Sequence, residues 1–298
     1  MNDTEEATPR PADNLTVADL ARIYSEQLES FAALADSLSA EQWELPSPCP
    51  GWTVADVVAH VIGIELELHG EPLPDHEPDW ENLPHVATPV DRYIELPIDF
   101  RRRLTPDELL AELHETVEWR REDLSEFFGN SGTFGTFGNT AEPGEIVRGP
   151  GGWQLRRDVF LKTRIFDVWI HTLDIQLAVD GAWKLDPAGA VVTTSLLLAA
   201  MPKIWAKRVG APVGSSVGLE ITDAPVPANV MITVDPGGRA RFAQSSEIPA
   251  PTSRVSMDWP SFILQATGRQ AGRDVKAREL AGDPDLARAF FESMTVTF

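Results

Sequence analysis

The chain has one cysteine, Cys49, in 298 residues. No intramolecular disulfide can staple it, and a reducing compartment, the cytoplasm, is the expected home. Positive charge is scarce: 25 Lys and Arg stand against 46 Asp and Glu, a net charge of −21. A basic face for nucleic acid is hard to build from that balance, so nucleic acid is excluded as a partner. Long apolar runs are missing. The longest, Ser195-Leu196-Leu197-Leu198-Ala199-Ala200-Met201, falls well short of the ~20 residues a membrane span needs. The start, Met1-Asn2-Asp3-Thr4-Glu5-Glu6, lacks the charged, apolar and small-residue order of a signal peptide. What is present, 43% apolar and 24% charged residues, fits a globular protein with one large domain or two ordinary ones.

Residues 1–13 are acidic and without periodicity, which reads as a disordered terminus. From Thr16, apolar positions Leu20, Ile23, Leu28, Phe31, Leu34 and Leu38 recur near the helical period. Ser39 to Gln42 forms a capping box around a short turn at Trp43. The prolines of Pro46-Ser47-Pro48-Cys49-Pro50-Gly51 exclude a helix, and a second one starts after them at N-cap Thr53 and runs to Gly70. Six prolines between Glu71 and Pro97 predict a long loop, a lid or partner surface. Thr105-Pro106-Asp107-Glu108 opens a third helix to about Phe128. The Gly-rich stretch Gly129–Gly152 predicts a second loop, and a fourth helix spans about Leu155 to Val179, stopping at Asp180-Gly181. Four such helices imply an antiparallel four-helix bundle over 14–182. Residues 183–298 predict a small α+β domain: a helix near Pro187–Val209, strands around 217–221, 230–234, 240–242 and 255–257, and helices near Trp259–Thr267 and Pro284–Met294.

The fourth helix concentrates the chemistry. At about 100° per residue from Asp167, His171 falls near 40°, Arg164 near 60° and Asp174 near −20°, while the apolar residues fill the opposite side. Asp167 and His171 are an i, i+4 pair. The arc reads either as the solvent side of an amphipathic helix or as one wall of a site. The second helix is apolar almost all round and carries His60 within that surface, either as a hydrogen-bonded core histidine or as a ligand. Two histidines and a carboxylate give the ligand count of an open zinc site, with one position left for water or substrate.

Cys49-Pro50-Gly51-Trp52-Thr53-Val54-Ala55-Asp56-Val57-Val58-Ala59-His60, preceded by Gln42-Trp43, resembles the N-terminal signature of the mycothiol-dependent maleylpyruvate isomerase family, within the DinB-like metal-binding helix-bundle superfamily. Arg164-Ile165-Phe166-Asp167-Val168-Trp169-Ile170-His171-Thr172-Leu173-Asp174 resembles its second signature. The resemblance implies a divalent cation, Zn2+ before others, held by His60, Asp167 and His171. This chain carries Asp where the isomerases carry Glu. Mycothiol, an actinobacterial thiol, is implied as cosubstrate: the cation turns it into a thiolate that adds to, or is transferred to, an electrophilic small molecule. Residues 215–298 resemble a sterol-carrier-like domain, which implies a catalytic arginine; Arg269 is the choice, with Arg273 and Arg278 nearby. Asp174 and Asp56 can each orient a ligand imidazole, the simpler expectations being that Asp174 meets solvent or arginines and that Asp56 caps its helix; Arg164 is expected to pair with Asp167 or receive a substrate carboxylate, and Cys49 to be structural. The size of the two loops hints at a bulky acceptor reached by Trp80 or Phe134, with surface elaboration as the alternative. A monomer or homodimer is expected. Two other readings stay open: a metal-free bundle that binds or carries a small molecule, and a metal-dependent hydrolase that uses no thiol.

Overall fold

The computed structural model describes residues 11–128, 144–179, 183–271, 273, 275, 277 and 279–297. It divides into two compact units, Leu15–Gly189 and a second made of Met1–Asn14 with Ala190–Phe298.

In the first unit, α1 (Val17–Asp36), α3 (Val54–His69), α5 (Pro106–Phe128) and α6 (Arg157–Val179) are the long helices, with α2 (Ala40–Trp43) a single turn. Thr16 with Asp19, Ser39 with Gln42, and Thr53 with Asp56 close capping boxes at the starts of α1, α2 and α3. Asp56 thus caps its helix as the sequence predicts. α1 packs on α5 and α6, and α3 packs on α5 and α6 as well. Leu20, Leu28 and Phe31 of α1 meet this core together with Val57, Val61 and Ile62 of α3 and Ile165, Val168 and Trp169 of α6. Because neighbours flank α3 on several sides, it has no polar face to give to water.

The expected loop over 71–97 is corrected. It contains α4 (Pro89–Arg101), opened by Thr88 and Asp91 with Pro89 in the first turn. Pro97 lies inside α4, where proline is normally read as a stop because it removes a backbone donor. It is seated against α3 at Gly63: a Cβ built on Gly63 would come 2.8 Å from the Pro97 Cβ. Gly63→Ala is therefore expected to lower the urea midpoint. Overpacking costs ~1–3 kcal/mol, more than the ~1 kcal/mol that replacing a helical glycine returns.

Of the expected loop 129–152, residues 129–143 lie outside the described residues, as does Asp180-Gly181. The remainder is not loop: β1 (Ile146–Arg148) pairs antiparallel with β2 (Gln154–Arg156) around a 3-10 turn at Pro150–Gly152. That pairing moves the start of α6 from Leu155 to Arg157.

The second unit holds most of α7 (Pro187–Lys203), which widens into a π turn at Ile204–Arg208 just after Pro202. Pro187–Arg208, 22 residues, is long and apolar enough to cross a membrane, which corrects the expectation that no segment nears that length. Its most apolar window is 61% buried inside the protein, as a core helix is. A five-stranded sheet follows, in the order β5-β4-β3-β6-β7. Its strands are β3 (Ser216–Thr222), β4 (Asn229–Val234), β5 (Ala240–Ala243), β6 (Ser253–Asp258) and β7 (Glu279–Gly282), with β3 and β6 parallel and the other pairs antiparallel. β7 has no apolar alternation and was not expected. Gly282, at φ +79°, ends it where a Cβ would lie 2.3 Å from the Thr252 carbonyl oxygen. α8 (Trp259–Ala266) and α9 (Pro284–Glu292) complete the unit, each capped by an aspartate, Asp258 and Asp283. At the other end of the chain, Pro11–Asn14 forms a 3-10 turn with Ala12 buried, while residues 1–10 lie outside the described residues.

Candidate metal centre

α3 and α6 run side by side in the first unit and bring His60, Asp167 and His171 together. Their donor atoms lie within 4.8 Å of one another. His60 Nε2 is 3.6 Å from Asp167 Oδ2, and His171 Nε2 is 3.8 Å from Asp167 Oδ1. A tetrahedral ion with bonds of ~2.1 Å needs donor separations of about 3.4 Å, so small side-chain movements would bring these donors to ligating distance. The imidazole centroids are 4.7 Å apart, edge to face. Both histidines are buried, whereas Asp167 keeps 24% of its side chain exposed. Two neutral-capable imidazoles and one accessible carboxylate fit a divalent cation of the zinc type.

The arc on α6 is not a solvent face. Arg164, His171 and Asp174 are all buried, Asp174 completely. The expectation that Asp174 meets solvent is thus corrected: its carboxylate accepts from His171 Nδ1 at 3.0 Å and from the Cys49 thiol at 3.2 Å. That bond fixes the ring with Nε2 turned to Asp167. Cys49, His171 and Asp174 form a second close donor group that shares the imidazole. Arg164 pairs with Asp167, donating to Oδ2 at 3.0 Å.

These contacts set the charges. Burial works against an imidazolium at His171, but the hydrogen bonds to Asp174 and Cys49 and the charge of Asp167 push its pKa up to about 10. At His60 burial prevails and holds the pKa below the usual histidine value. Asp167 sits far below the usual carboxylate range, because Arg164 and the two imidazoles outweigh its burial. Without a cation the site is therefore one neutral imidazole, one imidazolium and one carboxylate.

Several residues at the site were not singled out from sequence. Glu65, on α3 among apolar neighbours, receives Arg164 at 2.7 Å, Arg120 at 2.8 Å and the Tyr24 hydroxyl at 2.5 Å. The one signal was a carboxylate between Ile64 and Leu66 on a largely apolar helix. Trp52 lies against both imidazoles, its ring centroid 5.2 Å from that of His60 and 6.2 Å from that of His171. Trp80 is engaged locally, donating to Glu77 with Arg92 over its ring, and Phe134 lies outside the described residues. Arg269 belongs to the second unit, where it is buried and donates to the Thr267 carbonyl at 2.6 Å and the Thr297 hydroxyl at 3.3 Å. Arg273 donates to the carbonyls of Arg269 and Ala271, and Arg278 lies outside the described residues.

Comparison with known proteins gives the context of this geometry. The chain is 28% identical over 163 residues to an uncharacterized protein of Mycobacterium tuberculosis, in strains CDC 1551 and H37Rv alike, covering 55% of this chain and 69% of that protein. The crystal structure of the mycothiol-dependent maleylpyruvate isomerase superposes with a TM-score of 0.54 at 19% identity, covering 90% of this chain and 95% of that one. A histidine-to-alanine mutant of that isomerase gives a TM-score of 0.52 at 17% identity over the same shares. At these identities the superposition speaks for the fold. Residues 24–176, just over half the chain, match the model of the mycothiol maleylpyruvate isomerase N-terminal domain, and the protein belongs to that family.

Proposed function

We propose that this protein is a metal-dependent, mycothiol-using enzyme that adds or transfers the thiol to an electrophilic small molecule, as an S-transferase or a cis-trans isomerase. The observation that carries the reading is the convergence of His60, Asp167 and His171 inside a chain of this family. In this reading the first unit is a DinB-like antiparallel four-helix bundle and the second a sterol-carrier-like domain, and the protein works in the cytoplasm as a monomer or homodimer. Mycothiol and the acceptor are its partners.

His60, Asp167 and His171 would hold the cation, Zn2+ before others. When bound, it supplies positive charge that favours a thiolate over a thiol at neutral pH. Asp174 keeps the His171 ring oriented, and Arg164 keeps the Asp167 carboxylate in place. Arg164 also offsets part of the carboxylate's negative charge, leaving the ligand set closer to neutral and the cation more able to polarise a thiol. The partial exposure of Asp167 gives small molecules a way in. Arg269 is assigned a catalytic role in the second unit; Arg269→Ala, with Arg269→Lys as the charge-retaining control, is expected to lower kcat while metal content stays unchanged.

The deciding experiment is metal analysis of the purified and zinc-reconstituted protein, followed by turnover with and without mycothiol. Stoichiometric metal and mycothiol-dependent turnover support the reading. Absence of metal after reconstitution favours the carrier, and turnover indifferent to mycothiol favours the hydrolase.

Cation uptake should also be proton-linked. With its pKa raised to about 10, His171 holds a proton at neutral pH that a cation must displace. Uptake at pH 7 is expected to release about one proton per ion, with apparent affinity rising about tenfold per pH unit below that value. Calorimetry in two buffers of different ionisation enthalpy measures the count.

A further inference from the structure

The indole of Trp52 is held from both ends. Gly51, at φ +82°, turns the chain, and the Trp52 backbone is pinned by its N–H to the Cys49 carbonyl at 3.1 Å and its carbonyl to the Ser47 N–H at 2.9 Å. At the far end Trp52 Nε1 donates to Glu95 Oε2 at 2.9 Å. Glu95 is on α4 and only 1% exposed; its Oε2 also meets His85 Nε2 at 3.0 Å, and the Arg102 guanidinium lies 2.7 Å from Oε1. Arg102 reaches on to Asp56, the cap of the helix that carries His60, at 2.9 Å. The His85 ring packs directly over Gly51, where a Cβ would come 2.3 Å from Nδ1. A flat apolar face is thus set at a fixed tilt beside both imidazoles, and what sets it is the proline-rich segment between α3 and α5.

We propose that Trp52 is a specificity-determining wall of the site, held at its angle by Glu95 and His85, so that the segment 71–101 selects flat, conjugated or aromatic groups beside the cation's free position. This rests on the functional reading above. Planar ligands gain from an indole face already ordered, whereas compact aliphatic ones do not. The contacts of Glu95 with Trp52 and of His85 with Gly51 also explain how a segment with no ligand of its own acts on the site: it fixes the wall rather than touching the cation.

The test uses the full-length protein loaded with Co2+, whose visible absorption reports an intact metal site and whose sulfur-to-cobalt charge-transfer band reports thiol binding. Two probes with similar thiol acidity are titrated, benzyl mercaptan and 2-mercaptoethanol, and the ratio of their Kd values is read for each variant. Trp52→Ala is expected to cut the preference for benzyl mercaptan about fivefold, and Trp52→Phe by less. Glu95→Gln is expected to reduce it in the wild-type background but to add nothing in Trp52→Phe, which has no indole N–H to hold. Unchanged ratios in Trp52→Ala overturn the wall while leaving the functional reading standing. A Glu95→Gln effect of equal size in both backgrounds overturns the clamp. A cobalt-loaded wild type that binds neither thiol overturns the functional reading, and the wall with it.

Discussion

Zinc affinity is expected to fall at least a hundredfold in His60→Ala and in His171→Ala, with the fold kept. Each imidazole offers Nε2 to a cluster whose donors already sit within 4.8 Å, so removing one would take away a third of the proposed ligands. It would leave Asp167 with a single imidazole beside it. His171 should be the more sensitive site to changes around it. Its Nδ1 is tied to Asp174 at 3.0 Å, and loss of such an outer contact typically costs about 10–100-fold in metal affinity. Asp174→Asn should fall in that range, because the amide can still accept from Nδ1 but carries no charge. Competition with a chromophoric chelator measures all three. Wild-type affinity in both alanine variants would show that the cluster holds no metal. Equal affinity in Asp174→Asn would show that the buried carboxylate does not orient the ring.

The residues proposed to hold the cation were legible because two local periods place them: the i, i+4 pair on α6 and the lone histidine in an apolar helix. Their burial was not legible. Angles on a helical wheel locate Arg164, His171 and Asp174 on one side of α6 but say nothing of what faces that side, and here α1 and α3 face it. Glu65, Trp52 and Glu95 matter through contacts 41 to 99 residues apart in sequence, and no short-range pattern encodes them. α4 was missed for a different reason. Thr88-Pro89-Val90-Asp91 is a helix start as clear as the others, yet six prolines outweighed it, since the seat for Pro97 depends on Gly63 of another helix. β7 was missed because an edge strand four residues long can be held by backbone pairing to β6 without an apolar pattern.

Glu65→Ala is expected to cost about 3–5 kcal/mol of stability, the usual penalty for breaking a buried ion pair by removing one member. In a protein whose whole stability is ~5–15 kcal/mol, that is enough to make it marginal. Glu65 is 1% exposed and joins helices α1, α5 and α6 through Tyr24, Arg120 and Arg164. Its removal takes away the carboxylate that two buried guanidinium groups share, leaving Arg164 with Asp167 and Arg120 with Asp123. Tyr24→Phe, which deletes the hydroxyl's bonds to Glu65 and from Arg164 Nε but no charge, should cost less, ~1–3 kcal/mol. The pH dependence follows from the same contacts. Burial raises the Glu65 pKa, but Arg164 and Arg120 outweigh it and hold the carboxyl below the usual range. A depressed folded-state value means that the unfolded chain takes up the proton first. The contribution is complete above the ordinary glutamate pKa of about 4.3 and is lost as pH falls from there through the folded-state value. Wild type and Tyr24→Phe should therefore lose stability together on acidification, whereas Glu65→Ala should show a shallower acid slope. Urea melts between pH 7 and pH 3 compare the three, and parallel slopes in wild type and Glu65→Ala would remove Glu65 from the acid response.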